Sequence, residues 1–575
     1  MATFLTNGFQ KYIMSLEQDA FRYALKNAVE HEGKADLKAV IGKIMALHKG
    51  IDLKKEVKKI SAQVEKVNKM PFSQQKEEFK KIEPGIELKP RPQREGLREL
   101  DWAKEEHVVT RFAPNPNAPF HIGNSRAALL SWEYAEMYNG EFILRFDDTD
   151  PKIKKSMENA EEIFKKDLNW LGITKISKTI FASDRLEIYY DYMKKTIEMG
   201  KAYICSCEKE KWKKLIDQGK PCPHREIAIE KQLELFEKML SHKTKEGEAV
   251  LRLKTDLNAN DPALKDWWMA RIVDKVNHPR VGKKFHLWPS YNFASAIDDH
   301  LLGVTLIIRG QEHAQNQRKQ EYLYEFFGWK YPHAIHTGRV MLEGTIMSKS
   351  EIRKGIEEKK FSGWDDPRLA TITALRKRGF KPEAIIGIMK EIGAKTNDVN
   401  LSMDKIVALN KKLIDDESER FSFIQNPISL EVEATPSMVV EKPVHPDFPE
   451  QGIKEYKIKS GRQVFLASKE LLEKIGTGKV FRLRSCFNAK LLSLGDLQAI
   501  AQFLDTTKID VPIISWVLTP VDAVITMPDN SLKFGVTDAE ILDKKPRERV
   551  QLEQFGYAII DSMERGRIKL NFTHE

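Results

Sequence analysis

A strand, a Pro/Asn-rich loop, a helix and a second strand follow one another between residues 107 and 146, and this order constrains the fold more than any other feature. HVVTRF is a short β-branched run, PNPNAP is a loop, SRAALLSWEYAEMY has the period of an amphipathic helix ended by Asn139-Gly140, and EFILRF is a second strand. Parallel strands need a crossover of this kind. The pattern therefore predicts an α/β domain built on a parallel sheet.

Changes in pattern divide the 575 residues into several regions, as expected for a chain of this length. Apolar residues recur at helical spacing near the N-terminus, prolines interrupt the chain twice, and short β-rich runs dominate the last part. The predicted regions are a helical N-terminal extension over 1–82, a linker over 83–102, an α/β domain over 103–345 with an insertion over about 203–285, a loop and helical region over 346–425, and a β-barrel or sandwich region over 426–575.

Two local predictions complete this outline. After FDDTDP a second long helix is expected, with Asp150 as its N-cap and Pro151 at its first position, where the missing N–H costs nothing. Cys486 is expected to be a core residue of a strand.

Composition excludes several classes of protein. Lys and Arg number 94 against 84 Asp and Glu, so the net charge of +10 favours a polyanionic partner such as nucleic acid without requiring one. No apolar run approaches the roughly 18 residues of a membrane helix, and the N-terminus has no signal-peptide pattern. Four cysteines cannot form a disulfide framework. We therefore expect a cytoplasmic protein and exclude membrane-spanning, secreted and fibrous ones.

The loop RFAPNPNAPFHIGN joins the first strand to the first helix of the α/β domain. His121 lies at the helix entrance, and Gly123 removes a side chain where another group could approach the backbone. Because a helix N-terminus attracts anions, an imidazole there could donate to a triphosphate. The alternative is a proline-rich turn in which His121 only caps the helix.

A second loop, MSKS, lies inside GRVMLEGTIMSKSEIRKG, and its Lys349 is flanked by serine hydroxyls. A mobile cation beside hydroxyls suits phosphates that gain charge during a reaction. The alternative is an ordinary solvated basic loop.

Together the two loops are far more specific than either alone. An HIGH-type loop that opens the first helix of an α/β domain, followed by a KMSKS-type loop, resembles the class I aminoacyl-tRNA synthetases. The strings LRFDDTDP, PSYNFASAIDDHLLGVTLIIRG, SKSEIRKGI and GWDDPRLATI resemble the glutamyl/glutaminyl branch, and within it the archaeal members specific for glutamate. Two positions depart from the motifs: Asn124 replaces the second histidine of HIGH, and Ile346 replaces the first lysine of KMSKS.

The resemblance implies both a fold and a reaction. The fold would be a Rossmann-like core with an inserted acceptor-stem-binding domain and a C-terminal β-barrel region that binds the anticodon. ATP with Mg²⁺ would activate L-glutamate to glutamyl-adenylate, with release of pyrophosphate. The glutamyl group would then pass to the 3′-terminal adenosine of tRNA(Glu), with release of AMP, so the chain would be a glutamate–tRNA ligase.

The resemblance also assigns site residues by matching position. His121 and Lys349 would be catalytic, and the residues facing ATP would be His121, Gly123, Asn124, Met347, Ser348 and Lys349. The amino-acid pocket would contain Arg111, Ala113, Asn115, Asp147, Tyr291, Ser295 and Arg309. Asp147 would pair with the α-ammonium, and Arg309 with the γ-carboxylate. Because a buried carboxylate needs a paired guanidinium, Arg309 argues for glutamate over glutamine.

Three of the four cysteines and one histidine form two close pairs, Cys205-Ser-Cys207 and Cys222-Pro-His224. Two pairs of soft ligands separated by a short loop make tetrahedral Zn²⁺ coordination feasible. Glutamyl-tRNA synthetases contain a related arrangement, so a structural zinc in the insertion is expected. The alternative is three reduced thiols beside a surface histidine.

The expected contacts with the tRNA elbow are the basic residues Arg376, Lys377 and Arg378, shortly after MSKS. We expect a monomer whose N-terminal extension is a candidate for contacts with other proteins. The alternatives are a glutaminyl-tRNA synthetase, a non-catalytic tRNA-binding scaffold, a shorter glutamylating enzyme that lacks the anticodon region, and a small-molecule adenylyltransferase. Arg309, the retained pocket and the chain length disfavour them.

Overall fold

The structure of the protein is a computed structural model that describes residues 15–30, 33–48, 53–83 and 97–575. Contacts divide the chain into two compact units, residues 1–95 and 96–575. Most of the predicted linker, residues 84–96, lies outside the described residues. None of the helices in the described ranges is long and apolar enough to cross a membrane.

The first unit is helical, as its periodicity predicts. Its helices are α1 (Leu16–Glu30), α2 (Leu37–Leu47), α3 (Leu53–Asn68) and α4 (Phe72–Ile82). Their apolar faces form one core that includes Ala24, Ile44 and Phe79. The buried Gln75 amide donates to the carbonyl oxygens of Gly33, Val67 and Met70, so it satisfies the backbone where the chain turns between helices.

A five-stranded parallel sheet forms the centre of the second unit. Its strands are β1 (Val109–Phe112), β2 (Glu141–Phe146), β3 (Lys178–Phe181), β8 (Leu306–Gly310) and β9 (His333–Thr337). Their order is β3-β2-β1-β8-β9, and every pair is parallel. β2 and β3 lie on one side of β1, and β8 and β9 lie on the other. The strand order therefore reverses between β1 and β8, and α/β proteins bind ligands in the crevice at the carboxyl ends of such strands.

Five helices precede or follow the strands of this sheet in the chain. They are α5 (Ile122–Met137), α6 (Ala160–Trp170), α7 (Leu186–Glu198), α10 (Tyr291–Leu301) and α11 (Ala314–Phe327). The prediction of a helix beginning at Pro151 is wrong. Asp150 Oδ1 accepts hydrogen bonds from the N–H groups of Lys152 and Ile153, which closes a turn, and the helix begins only at Ala160.

The predicted insertion forms a module between α7 and α10, and it shares one hydrophobic core with these two helices and α11. Its strands, β4 (Ala202–Cys205), β5 (Val250–Leu253), β6 (Trp268–Ile272) and β7 (Leu287–Pro289), make an antiparallel sheet in that order. Two helices, α8 (Lys209–Asp217) and α9 (Ile229–Leu240), lie between β4 and β5 in the chain.

The helical region follows the parallel sheet. It contains the parallel strand pair β10 (Val340–Leu342) and β11 (Val399–Leu401), and the helices α12 (Lys349–Glu357), α13 (Ile372–Lys377), α14 (Pro382–Ile392) and α15 (Met403–Ile414). Its apolar side chains, including Ile372, Leu375 and Ile388, join the same core as Phe120 and Leu129 near the start of α5. This region therefore shares a hydrophobic core with the α/β domain.

The C-terminal region consists of two barrel-like seven-stranded sheets. The elements are β12 (Glu419–Phe421), β13 (Phe423–Gln425), β14 (Pro427–Thr435), β15 (Met438–Pro443), β16 (Ile453–Ile458), β17 (Gly461–Ser468), α16 (Lys469–Ile475), β18 (Val480–Leu483), β19 (Asn488–Leu494), β20 (Gln498–Asp505), β21 (Ile513–Ile514), β22 (Trp516–Val517), β23 (Pro520–Thr526), β24 (Leu532–Asp538), β25 (Arg549–Leu552), β26 (Gly556–Glu564) and β27 (Arg567–His574). The first sheet has the order β12-β25-β26-β27-β23-β24-β13 and the second β21-β18-β19-β20-β14-β17-β22, and β15 and β16 form a separate hairpin. The β-rich prediction is therefore confirmed.

Two details of this region differ from the predictions. The sheets begin at Glu419, inside the range assigned to the helical region, because β12 pairs with β25 and β13 with β24. Cys486 is buried, as expected, but it lies in the turn between β18 and β19 and not in a strand.

Candidate active site

His121 ends the Pro/Asn-rich loop and caps α5. Its Nδ1 accepts the N–H of Gly123 at 3.1 Å, and Asn124 Oδ1 accepts the N–H of His121 at 3.5 Å, which completes a capping box. Burial and the positive charge of Lys349 lower the pKa of His121 to about 3. A neutral imidazole whose Nδ1 accepts carries its proton on Nε2. Capping and anion binding are thus compatible, since the cap uses Nδ1 of His121 and leaves its Nε2–H free to donate to an anion.

Lys349 opens α12, directly after its N-cap Ser348. Burial lowers the pKa of Lys349 to about 8, and the nearby charges of Lys154 and Arg353 act in the same direction. An anionic ligand beside Lys349 would relieve the repulsion between these cations.

The two loops touch at Gly123. A Cβ built there would lie 2.9 Å from Met347 Cε, at the end of a flexible side chain, and 3.0 Å from the His121 ring, so a larger residue would displace one of them. Arg353 also donates to the carbonyl oxygen of Asn117, which ties α12 to the Pro/Asn-rich loop.

The helical region holds the first loop from the other side. The Ile122 N–H donates to Ala370 O at 3.0 Å, and the Ile372 N–H donates to Phe120 O at 2.9 Å. This short antiparallel bridge pairs His121 with Thr371, which itself caps α13. The segment before α13 therefore contacts the first loop; it is the string GWDDPRLATI of the family resemblance, but none of its residues was predicted to lie in the site.

Arg111, at the end of β1, forms a buried two-point ion pair with Asp299 on α10. Arg111 Nε and Nη2 lie 2.9 and 3.1 Å from the two Asp299 oxygens, and Ser295 Oγ donates to Asp299 at 3.3 Å. Burial opposes the charge, but Asp299 outweighs it and holds the pKa of Arg111 above its ordinary value. Asp299 was not among the predicted site residues, although it lies in the string SAIDDH.

Arg309, at the end of β8, is buried without a counter-ion. Its Nη1 donates to Gln320 Oε1 at 3.0 Å and its Nη2 to the Tyr331 hydroxyl at 2.9 Å. Its Nε is buried and has no acceptor among the described residues. No carboxylate in the described ranges lies within 4.0 Å of the guanidinium. A buried cation with neutral partners is a site for an anionic group.

His313 follows β8 and lies beside Tyr291. Its ring centroid is 5.6 Å from that of Tyr291. Burial lowers the pKa of His313 to about 4, with Arg309 and Arg111 adding to the effect. Asp299 therefore joins the predicted residues Arg111 and Ser295, and the predicted Tyr291 lies beside His313.

Asp147 follows β2 and is locked to the first loop. Its N–H donates to Pro114 O at 2.9 Å, and Asn115 Nδ2 donates to Asp147 O at 2.9 Å. Burial raises the pKa of Asp147, and Arg145, at 3.5 Å, opposes that shift. Ala113 is half-buried in the same loop. The carboxyl ends of three adjacent strands thus supply Arg111, Asp147 and Arg309.

The predicted metal ligands come together in the inserted module. One ligand atom from each of Cys205, Cys207, Cys222 and His224 lies within 4.8 Å of all the others. Cys222 Sγ is 3.5 and 3.4 Å from the other two sulfurs and 3.2 Å from His224 Nδ1. Ligands of a tetrahedral Zn²⁺ are roughly 3.4–3.8 Å apart, so the four side chains fit the ion.

Neighbouring groups hold this cluster in place. Ser206 Oγ lies 2.8 Å from His224 Nε2, which turns Nδ1 toward the sulfurs. The buried Gln232 accepts the Ile204 N–H at 2.8 Å and donates to His224 O at 2.7 Å. One amide therefore joins the two segments that carry the ligands.

All three residues of the basic triplet after MSKS have partners within the protein. Two of its members pair with carboxylates: Arg376 with Asp167 at 2.9 Å and Lys377 with Asp365 at 2.8 Å. The expectation that Arg378 contacts tRNA is wrong, because Arg378 is 7% exposed and donates to Thr573 O on the last strand at 2.9 Å. Burial lowers its pKa to about 10.

Comparisons with known proteins cover most of the chain. The family model for the catalytic domain of class I tRNA synthetases (E and Q) matches residues 107–416, and the model for their anti-codon binding domain matches 418–501. A glutamate–tRNA ligase of Pyrococcus abyssi is 46% identical over 575 residues, which cover 98% of this chain and 100% of that protein. A glutamate–tRNA ligase of Pyrococcus horikoshii is also 46% identical, over 578 residues and the same shares of both chains. A crystal structure of a glutamate tRNA ligase from Elizabethkingia meningosepticum has 22% identity and a TM-score of 0.39, over 54% of this chain and 70% of that chain.

Proposed function

The chain belongs to the class I tRNA synthetases for glutamate and glutamine and is a glutamate–tRNA ligase of the archaeal type, and from this premise we propose how its residues perform the reaction. Its substrates are the amino acid, ATP and tRNA. The finer proposals concern amino-acid selection, phosphate chemistry and metal.

The observation that carries the amino-acid assignment is the buried, uncompensated guanidinium of Arg309. A γ-carboxylate would supply the missing charge and could accept from the unpaired Nε. Glutamine would place a neutral amide there and leave the guanidinium unneutralised. Arg309 therefore selects L-glutamate over L-glutamine.

The other end of the amino acid needs an acceptor for its α-ammonium. Asp147 is suited to this role, because its backbone is fixed by the first loop and its carboxylate has only a 3.5 Å contact with Arg145. Asp299 occupies Nε and Nη2 of Arg111, so Arg111 would reach the substrate through Nη1. Tyr291 and Ser295 form the pocket wall.

Activation is an in-line attack of the α-carboxylate oxygen on the α-phosphorus of ATP. The new O–P bond gives glutamyl-adenylate, and the bond to pyrophosphate breaks. His121 Nε2–H donates to the phosphates, and Lys349 faces the negative charge that grows on the leaving pyrophosphate. Mg²⁺ accompanying ATP supplies further charge neutralisation. A ribose hydroxyl of the terminal adenosine then attacks the glutamyl carbonyl, and AMP leaves.

The cysteine–histidine cluster would hold a structural Zn²⁺. All four positions are filled by protein ligands, so none is open for water. The ion would fix the segments around Cys207 and Cys222 in a module proposed to meet the acceptor stem, while the C-terminal sheets bind the anticodon.

The experiment is ATP–pyrophosphate exchange with glutamate and with glutamine, each with and without tRNA(Glu). We expect exchange with glutamate and little with glutamine. Exchange with glutamine alone would overturn the role of Arg309 as a selector of glutamate. A protein that gives no exchange under any condition would support the non-catalytic scaffold.

A further inference from the structure

A large cleft lies on the inserted module, outside the amino-acid pocket and the phosphate loops. Its volume is about 760 Å³, and it is bordered by α8, β5, β6 and Lys319 of α11. That volume lies within the range of sites that hold ligands of drug or nucleotide size. The proposed function places the acceptor stem on this module but assigns no ligand to the cleft itself.

Three tryptophans line the cleft: Trp212, Trp267 and Trp268. The guanidinium of Arg252 lies 3.6 Å from the centroid of the Trp212 ring, which makes a flat cationic platform. Trp268 is 38% exposed although it lies in the middle strand pair of a sheet, whereas its neighbour Trp267 is 5% exposed. The guanidinium of Arg271 lies over the Trp268 ring, 5.1 Å from its centroid, and the exposed part of this indole is available for stacking beside that cation.

The charge of the lining is strongly positive. Its six basic residues are Lys209, Lys213, Arg252, Lys265, Arg271 and Lys319, against the two acidic residues Glu208 and Asp217. Within the described ranges, none of the six has a carboxylate within the 4.0 Å of an ion pair. Burial lowers the pKa of Lys319, and Asp261 opposes that shift. Cations left unpaired around a cavity indicate an anionic occupant.

Three buried donors in the same wall also lack a partner. They are Trp212 Nε1, Trp267 Nε1 and Arg252 Nε, which have no acceptor among the described residues. A ligand with both a flat ring and acceptor oxygens would satisfy the donors, the indoles and the cations together.

We propose that this cleft binds an unpaired nucleotide of the tRNA substrate, with the base stacked on Trp268 and the phosphate facing Arg271 and Lys265. Stacking of splayed bases on aromatic rings beside basic side chains is how proteins hold single-stranded RNA. A paired stem would use the cations but not an indole inside a cavity. The proposal rests on the proposed function, because it takes tRNA as the source of the nucleotide.

An acidic protein segment would also be attracted by the cations, but it would leave the tryptophans without a partner. The two occupants therefore differ in how much binding depends on Trp268. A nucleotide loses its stacking surface when Trp268 is removed, whereas an acidic peptide keeps its charge pairs.

The test measures aminoacylation of tRNA(Glu) by the full-length wild type and by Trp268→Ala. Ile229→Ala is the matched control, since Ile229 is on the same module, is also 38% exposed and does not line the cleft. We expect the KM for tRNA to rise about tenfold in Trp268→Ala, with unchanged KM values for ATP and glutamate. Arg271→Ala should raise the KM for tRNA and weaken its salt dependence, whereas Lys243→Ala, outside the cleft, should not.

Tryptophan fluorescence titrations separate this inference from the proposed function. Single-stranded hexauridylate should bind the wild type more tightly than Trp268→Ala, and an RNA duplex or polyglutamate should not discriminate between the two proteins. Equal hexauridylate affinities, or equal KM values for tRNA in Trp268→Ala and Ile229→Ala, would overturn the proposal. If the wild type binds hexauridylate through Trp268 but does not charge tRNA, the proposed function is contradicted, whereas nucleotide binding in the cleft is supported.

Discussion

Gly123 and Met347 are in contact where the two phosphate-facing loops meet, and a Cβ on Gly123 would lie 2.9 Å from Met347 Cε. Gly123 also donates its N–H to His121. The missing side chain at Gly123 therefore leaves room for both the imidazole and the end of Met347, which is 224 positions away in the chain (347 − 123).

The first prediction concerns that contact. Gly123→Ala should displace Met347 or the His121 ring. A misplacement of about 1 Å can lower the rate of a reaction that depends on precise positioning by about 100-fold. The measurement is kcat/KM for ATP in pyrophosphate exchange. Gly387→Ala is the control, because Gly387 lies in α14 and a Cβ there meets nothing within 4 Å. Equal losses in both variants would contradict the prediction.

The second prediction is a pH dependence set by Lys349. Its pKa is lowered to about 8 in the free enzyme, so the side chain is charged below that pH and loses its charge above it. We expect kcat/KM for ATP to be level up to about pH 8 and then to fall about tenfold per pH unit.

Lys349→Arg is the matched variant for this profile, because a guanidinium stays charged throughout the range. Its kcat/KM for ATP should be lower than that of the wild type but level past pH 9. A wild-type profile without a break between pH 7 and pH 9.5 would remove Lys349 from the phosphate site.

Local signals predicted the elements that position the site. The β-branched run before Phe112 and the apolar period after His121 depend on neighbours in the chain, and both elements formed as expected. The helix expected at Pro151 did not form, because Asp150 accepts the N–H groups of Lys152 and Ile153 in a turn. An aspartate makes such bonds both in isolated turns and at helix N-caps, so the sequence alone did not distinguish the two.

Contacts between distant segments could not be predicted. Asp299 lies 188 residues from Arg111, and a single sequence does not say which of many acidic residues will meet a given arginine. Arg378 has the sequence context of an exposed cation, but its docking against Thr573 depends on where the C-terminal sheet lies. The ligand cluster was predictable because its four residues occur within 20 positions, from 205 to 224.

The third prediction tests the specificity of Arg309. Arg309→Gln removes the guanidinium while keeping hydrogen-bonding capacity toward Gln320 and Tyr331. Loss of one partner from a buried charge pair should raise the KM for glutamate by roughly 30-fold or more and narrow the preference over glutamine.

The KM for ATP should not change in Arg309→Gln, which separates substrate binding from misfolding. Arg462→Gln is the control, because Arg462 is exposed on the C-terminal region. If both variants keep the wild-type KM for glutamate, Arg309 does not contact the substrate.

The fourth prediction concerns metal. Elemental analysis of the purified protein should find about one zinc per chain, because four soft ligands are already placed at tetrahedral spacing. Cys222→Ala should abolish the zinc and lower the melting temperature, whereas Cys486→Ala, which removes a buried thiol elsewhere, should retain it. Only trace metal in the wild type, or equal zinc contents in Cys222→Ala and the wild type, would show that the cluster is a set of reduced thiols.

Ser206→Ala should keep the four ligands but bind zinc about 10- to 100-fold more weakly, since His224 loses the partner that orients its ring. Weaker zinc binding in Ser206→Ala would show that the protein orients His224 for coordination.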